Sequence, residues 1–285
     1  MKKLPLLFLV AISFNPKLIK KVGECSGAAD GQQSIYLLKQ WHLPPSVNTK
    51  AEALGTAHPQ KENQTQIYDQ LSEWVKAGSI DRILAEGCEG DLTQLKEAYQ
   101  GWTLRDLKSH ANESKFNEIL SHPVLKIFAK YQSSVSAYCG DNLTEIKKSQ
   151  LALSDARADI GYYSRLEQYR KDPAKLKPYL DGVTETYHLK KETKVEDALF
   201  ALKLDLKASI KQFQTSTHER DLSFLKSLPK RDLSKKPTIV VIGGLHTQDL
   251  KQIFEENKLP CLIFEPLSYQ NDEEAMLNKL NSLNP

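Results

Sequence analysis

Five short apolar runs constrain this chain more than any other feature. They are Ser34–Leu38 (SIYLL), Arg82–Ala85 (RILA), Val135–Cys139 (VSAYC), Thr238–Ile242 (TIVVI) and Cys261–Phe264 (CLIF). Each is too brief for a helix, and none alternates between apolar and polar as a strand with one wet face does. Continuous β-branched and aromatic runs of this kind suit strands covered on both faces. Helical patterns separate them. Ile67, Leu71, Trp74 and Val75 fit one helix face ending at Gly78, and residues 247–257 lead from the fourth run to the fifth. Strand–helix–strand alternation predicts an α/β fold with a mainly parallel sheet flanked by helices.

The middle of the chain reads differently. Residues 143–236 hold 2 of the 13 glycines but 20 of the 39 Lys and Arg residues, and no strand pattern. They read as amphipathic helices broken near Pro173, Pro178 and Gly182, inserted between the third and fourth strands. The last carries a stripe of Leu206, Ile210, Phe213, Thr217, Phe224 and Leu228 at helical spacings. The insert's basic excess is the solvated face of these helices, and the rest of the chain is left slightly acidic. The overall charge of +3, from 39 basic and 36 acidic groups, therefore gives no argument for nucleic acid.

At the N-terminus, Lys2 and Lys3 precede the apolar run 4–14, the length of an export signal's core and too short for a bilayer. We read residues 1–24 as a leader, with export to an oxidising, periplasm-like compartment and cytoplasmic residence as the alternative. No other run reaches the length of a membrane span. Residues 30–285 then form one domain with the insert at 143–236. Cys88 and Cys139 fall near strand ends; they pair in an exported protein and otherwise are two small buried hydrophobes. Cys261 reads as core.

In open α/β sheets, reactive groups collect beyond the carboxyl ends of the strands. Those positions hold His42 after the first strand, Glu86 and Glu89 after the second, Asp141 after the third, and Gly243-Gly244-Leu245-His246 after the fourth. Histidine and carboxylate are what a general base or a hydrolytic metal centre requires. A carboxylate ending an apolar strand, such as Glu86, needs a cation, a histidine or a metal. Asp141 alternatively caps the helix starting near Leu143. Arg220 lies on the apolar stripe, so it either pairs with Glu86 or Asp141 or binds a substrate oxyanion. The long connection from Leu43 to Asn63 follows His42 and reads as a cover over the site.

Four segments also resemble a known superfamily: Ile35–His42 (IYLLKQWH), Ile83–Gly87 (ILAEG), His218–Leu228 (HERDLSFLKSL) and Val240–His246 (VVIGGLH). In order and spacing they are similar to the group that includes the TraB and Tiki proteins, the ChaN haem-binding proteins and the erythromycin esterases. The resemblance covers most of residues 34–265. It implies a site built from His42, Glu86, Arg220 and His246, with His42, Glu86 and His246 as ligands of a divalent ion such as manganese or zinc. It further implies hydrolysis of an ester or amide in a small molecule or peptide. The alternatives are a ChaN-like haem or iron binder, to which Tyr162, Tyr163 and Tyr169 contribute, and a catalytically silent scaffold. Two positions depart from the pattern. Lys39 stands where glycine is usual, and Gln40 where many members carry glutamate.

Overall fold

The computed structural model describes residues 13–26, 35–41, 59–92, 123–131, 133–228 and 236–270. These residues hold seven strands and six helices. The strands are β1 (Ile19–Glu24), β2 (Ile35–Gln40), β3 (Arg82–Ala85), β4 (Glu89–Asp91), β5 (Ser136–Gly140), β6 (Thr238–Gly243) and β7 (Cys261–Pro266). The helices are α1 (Pro59–Lys76), α2 (Pro123–Tyr131), α3 (Leu143–Gln168), α4 (Pro173–Thr186), α5 (Val195–Ser227) and α6 (Thr247–Glu256). The chain divides into two compact units, one of residues 1–140 and 224–270 and one whose described residues are 141–223.

The first unit is a seven-stranded sheet in the order β1-β7-β2-β6-β3-β5-β4. Its inner five strands are parallel, and they are the five runs read from the sequence. Leu37, Leu38, Leu84, Val240 and Val241 have no exposed surface, so both faces are covered as the unbroken apolar runs require. On one face Tyr36, Leu38, Ile83, Ile239 and Val241 pack against Ile67, Leu71 and Trp74 of α1 and Val124, Ile127 and Phe128 of α2. The path β2–α1–β3 passes over β6, whereas β6–α6–β7 passes over β2 in the opposite sense. Because parallel crossovers are right-handed, α1 and α6 must lie on opposite faces.

The two edge strands are antiparallel, β1 on β7 and β4 on β5. Neither shows as an apolar run. β1 is IKKVGE, exposed along most of its length, and β4 is the three residues EGD. Charged, short strands suit an edge, where pairing with another chain is the hazard. β1 lies within residues 1–24, the segment expected as a leader. Ile19 is buried, Phe14 lies 5.3 Å from the ring of Phe264, and Trp74 Nε1 donates to the Ser13 carbonyl at 3.0 Å. Cys25 is disulfide-bonded to Cys261, which is therefore more than core, and Cys88 is bonded to Cys139. Among the described residues no helix is long and apolar enough to cross a membrane.

The second unit contains α3, α4 and most of α5 in the sequence between β5 and β6. Asn142 caps α3, its side chain accepting from the N–H groups of Thr144 and Glu145. The break before α4 falls at Asp172 and Pro173, as a cap followed by proline at the first helical position dictates. The breaks expected at Pro178 and Gly182 do not occur, and both residues lie inside α4. At Gly182 a side chain would stand 3.3 Å from the Tyr162 ring, so glycine there lets α3 approach closely. Tyr162, Tyr163, Tyr179 and Tyr187 pack around Leu166, Val183 and Leu202.

Two measurements check this packing. A Cβ on Gly140 would sit 2.4 Å from the ring of fully buried Phe224. Gly140→Ala should therefore cost about 1–3 kcal/mol in urea unfolding, and adding Phe224→Leu should return part of it. The bond between Cys25 and Cys261 closes a loop of 236 residues. Replacing both by serine should lower stability by about 2–5 kcal/mol, and wild type with reductant should move toward the variant in a thermal scan.

Candidate active site

β2, β6 and β3 are neighbours, and Gln40 stands beside Gly243 in the parallel register. The connections from β2 and β6 leave on opposite faces, so the crevice between their carboxyl ends is the topological switch point of the sheet. Glu86 follows β3 directly, and its chain turns away at Gly87, whose φ of 84° is one that glycine adopts freely. The chain leaving β6 makes one tight turn, Gly244–His246, before α6 begins. That turn brings His246 back over the strand ends.

The two predicted residues meet there. Glu86 and His246 are 6% and 4% exposed, with His246 Nε2 3.2 Å from Glu86 Oε1. The other carboxylate oxygen, Oε2, accepts the N–H of Gly243 at 2.5 Å. One buried side chain thus joins the ends of β3 and β6 and orients the imidazole. An Nε2–H directed at Glu86 would leave a neutral His246 with its lone pair on Nδ1, the arrangement by which a carboxylate readies a histidine as a base.

His42 lies outside the described residues, as do residues 43–58 of the expected cover. The last five residues of that connection, Pro59–Asn63, are instead the start of α1, because Pro59 sits well at a helix's first turn. Arg220 belongs to the helical unit, and Asp141 is its partner there. Its Nε donates to Asp141 Oδ1 at 2.9 Å and its terminal nitrogen to Oδ2 at 2.8 Å. This two-pronged buried bond meets the structural alternative for Arg220 and gives Asp141 a different task from capping α3. Glu89 opens the edge strand β4 and is exposed.

The departures in the first motif are absorbed by packing. Lys39 reaches Glu265 of β7 at 3.2 Å, and Glu265 also takes Lys20 at 3.1 Å. Gln40 enters a buried amide chain that sequence reasoning missed, since its partners come from the first turns of α1. Asn63 Oδ1 accepts the Trp41 N–H at 2.9 Å, and Gln64 Nε2 donates to the Trp41 carbonyl at 2.6 Å. Gln64 must then present its oxygen to Gln40, whose Nε2 donates to it at 3.0 Å. Among the described residues no three His, Cys, Asp or Glu side chains are grouped to hold a metal ion. No protein-family profile, curated protein or solved structure matches the chain.

The amide chain carries a prediction. Gln40→Glu places a carboxylate oxygen against Gln64 Oε1, which cannot reverse without losing its bond to Trp41. The variant should lose about 1–3 kcal/mol of stability by chemical denaturation, with the loss shrinking at acid pH, where the new carboxyl is protonated and can donate.

Proposed function

We propose that this protein is a hydrolase acting on an ester or amide bond, with His246 as the base that activates water and Glu86 as the residue that orients it. The observation supporting this reading is the buried Glu86–His246 pair, 3.2 Å apart, at the carboxyl ends of adjacent parallel strands. Burial strengthens the electrostatic grip of a carboxylate on an imidazole and keeps the ring in one tautomer. The four segments similar to the TraB, Tiki, ChaN and erythromycin-esterase superfamily favour the same residues.

A spacing of 3.2 Å is that of an N–H···O bond, and two ligands on one tetrahedral ion also stand about 3 Å apart. Glu86 and His246 would therefore suit two positions on a divalent ion, and the superfamily resemblance would add His42 as a third ligand; when bound, the ion would lower the pKa of a water and polarise the carbonyl. The protein's own contribution is the same either way. Glu86 fixes the ring, Gly243 fixes Glu86, and the strand ends exclude bulk water from the pair. We also place the protein in an oxidising compartment, on the support of its two disulfides.

Purified protein screened against p-nitrophenyl esters and chromogenic peptides, with and without manganese or zinc, tests the reading. His246→Ala and Glu86→Gln should each lower the activity found by about 10²–10⁴-fold, while Phe200→Ser, at an exposed site on α5, should not change it. If both site variants keep full activity and full metal content, the hydrolase reading is wrong. A Soret band on haem titration that disappears in His246→Ala would replace it with haem binding.

A further inference from the structure

The helical unit holds a buried and a half-buried carboxylate between two apolar clusters. One cluster gathers Leu166, Val183, Ala198 and Leu202; the other gathers Ala156, Leu206 and Ile210. Asp159 of α3 and Asp205 of α5 lie between them along both helices, three residues after Ala156 and three after Leu202. Asp159 is 2% exposed. Tyr187, the first residue after α4, sets its hydroxyl between the two acids. It donates to Asp159 Oδ1, and Asp205 Oδ2 is 3.3 Å away. A single hydroxyl proton cannot serve both. Asp159 Oδ2 is buried and has no hydrogen-bond partner.

The titratable groups that act most strongly on Asp159 are Asp155 on its own helix, Tyr187 at the end of α4 and Asp205 on α5. Two of the three are acids, and the third is a phenol that itself donates its proton. Carboxylates this close in an apolar setting do not both ionise without cost. A proton on Asp159 gives the orphan oxygen a donor and supplies Asp205 with the bond Tyr187 cannot provide.

We propose that Asp159 and Asp205 share one proton and that this proton is a pH-sensitive latch across α3, α4 and α5. With the proton bound, Asp159 hydrogen-bonds Asp205, and the three helices meet at a singly charged centre. When the proton passes to solvent, two carboxylates compete for one tyrosine between apolar clusters, and the junction loosens. Burial first, and then the neighbouring acids, push Asp159 up to about 6 from the ordinary 3.8, against the lowering effect of the Tyr187 bond. Burial and the bond to Asp159 push Tyr187 up as well, so it remains a donor. The folded unit holds the proton more tightly than the unfolded chain does. The latch's contribution to stability is therefore fully present below about pH 4, is lost as pH rises through about 6, and is absent above that. The latch is independent of the hydrolytic reading.

Hydrogen exchange of the full-length protein at pH 5 and pH 7.5, corrected for intrinsic rates, tests it. Peptides containing Asp159, Tyr187 and Asp205 should open up to about 10-fold more often at the higher pH. Asp159→Asn should remove that difference and stay near the low-pH level. Equal opening of the wild type at both values, or a pH dependence retained in Asp159→Asn, overturns the proposal. If that variant does not fold, carbon-13 carboxyl spectra of aspartate-labelled wild type decide the matter: a buried carboxyl titrating near 6 supports the latch, and its absence sinks it.

Discussion

A carboxylate at the buried end of a strand must find hydrogen-bond donors within the protein, and the arrangement at Glu86 follows from that requirement. One oxygen takes the backbone N–H of Gly243, and the other faces the imidazole of His246. The first contact ties the end of β3 to the end of its neighbour β6. The second holds the imidazole against the carboxylate. Desolvating an unpartnered carboxylate costs several kcal/mol, on the order of a domain's whole margin of stability, so these contacts are conditions for folding as well as for chemistry. The Gly87 turn allows the chain to leave at once, and the Gly244–His246 turn returns the histidine to the same spot.

The same rule governs charges elsewhere in each unit. In the sheet, Glu265 holds Lys39 and Lys20, joining β7 to both neighbours. In the helical unit, Asp141 and Arg220 meet across 79 residues of sequence in a two-pronged bond. Such pairs add little net stability over an apolar substitute, but either member left alone is strongly destabilising. Asp159 is the exception that makes the rule informative. The groups that act most strongly on it are a phenol and two further acids, and neutralisation by a proton, as we propose, would meet the cost.

The parallel core was legible because burial on both faces leaves unbroken apolar runs, as in TIVVI of β6 and IYLL of β2. The edge strands were not, because an edge must be charged or short, and IKKVGE and EGD look like loop. Glu86 and His246 were legible from position alone, each following a strand whose neighbour could be inferred. The Arg220 partner stayed undecided, since a helical stripe tells that a guanidinium faces inward but not which carboxylate it meets. The breaks expected at Pro178 and Gly182 failed for a tertiary reason at glycine, where Tyr162 needs the space; nothing in the structure explains the tolerance of Pro178. Cys25 gave no local signal, because its partner is 236 residues away.

Lys39 and Gln40 then acquire a common meaning. Adjacent in β2, they point to opposite faces, and each is taken up by packing, Lys39 by Glu265 and Gln40 by Gln64. The amide at Gln40 is required as a donor, because Gln64 has its nitrogen committed to the Trp41 carbonyl. A glutamate could not make that bond while ionised. The end of β2 is therefore neutral where it adjoins Gly243, and Glu86 does not share the strand ends with a second carboxylate at position 40. Two acids side by side would divide one proton and serve as an acid–base pair. A carboxylate oxygen facing a histidine instead favours a single orientation of the ring. In the hydrolytic reading we propose, His246 is accordingly the proton acceptor and Glu86 the group that aims it.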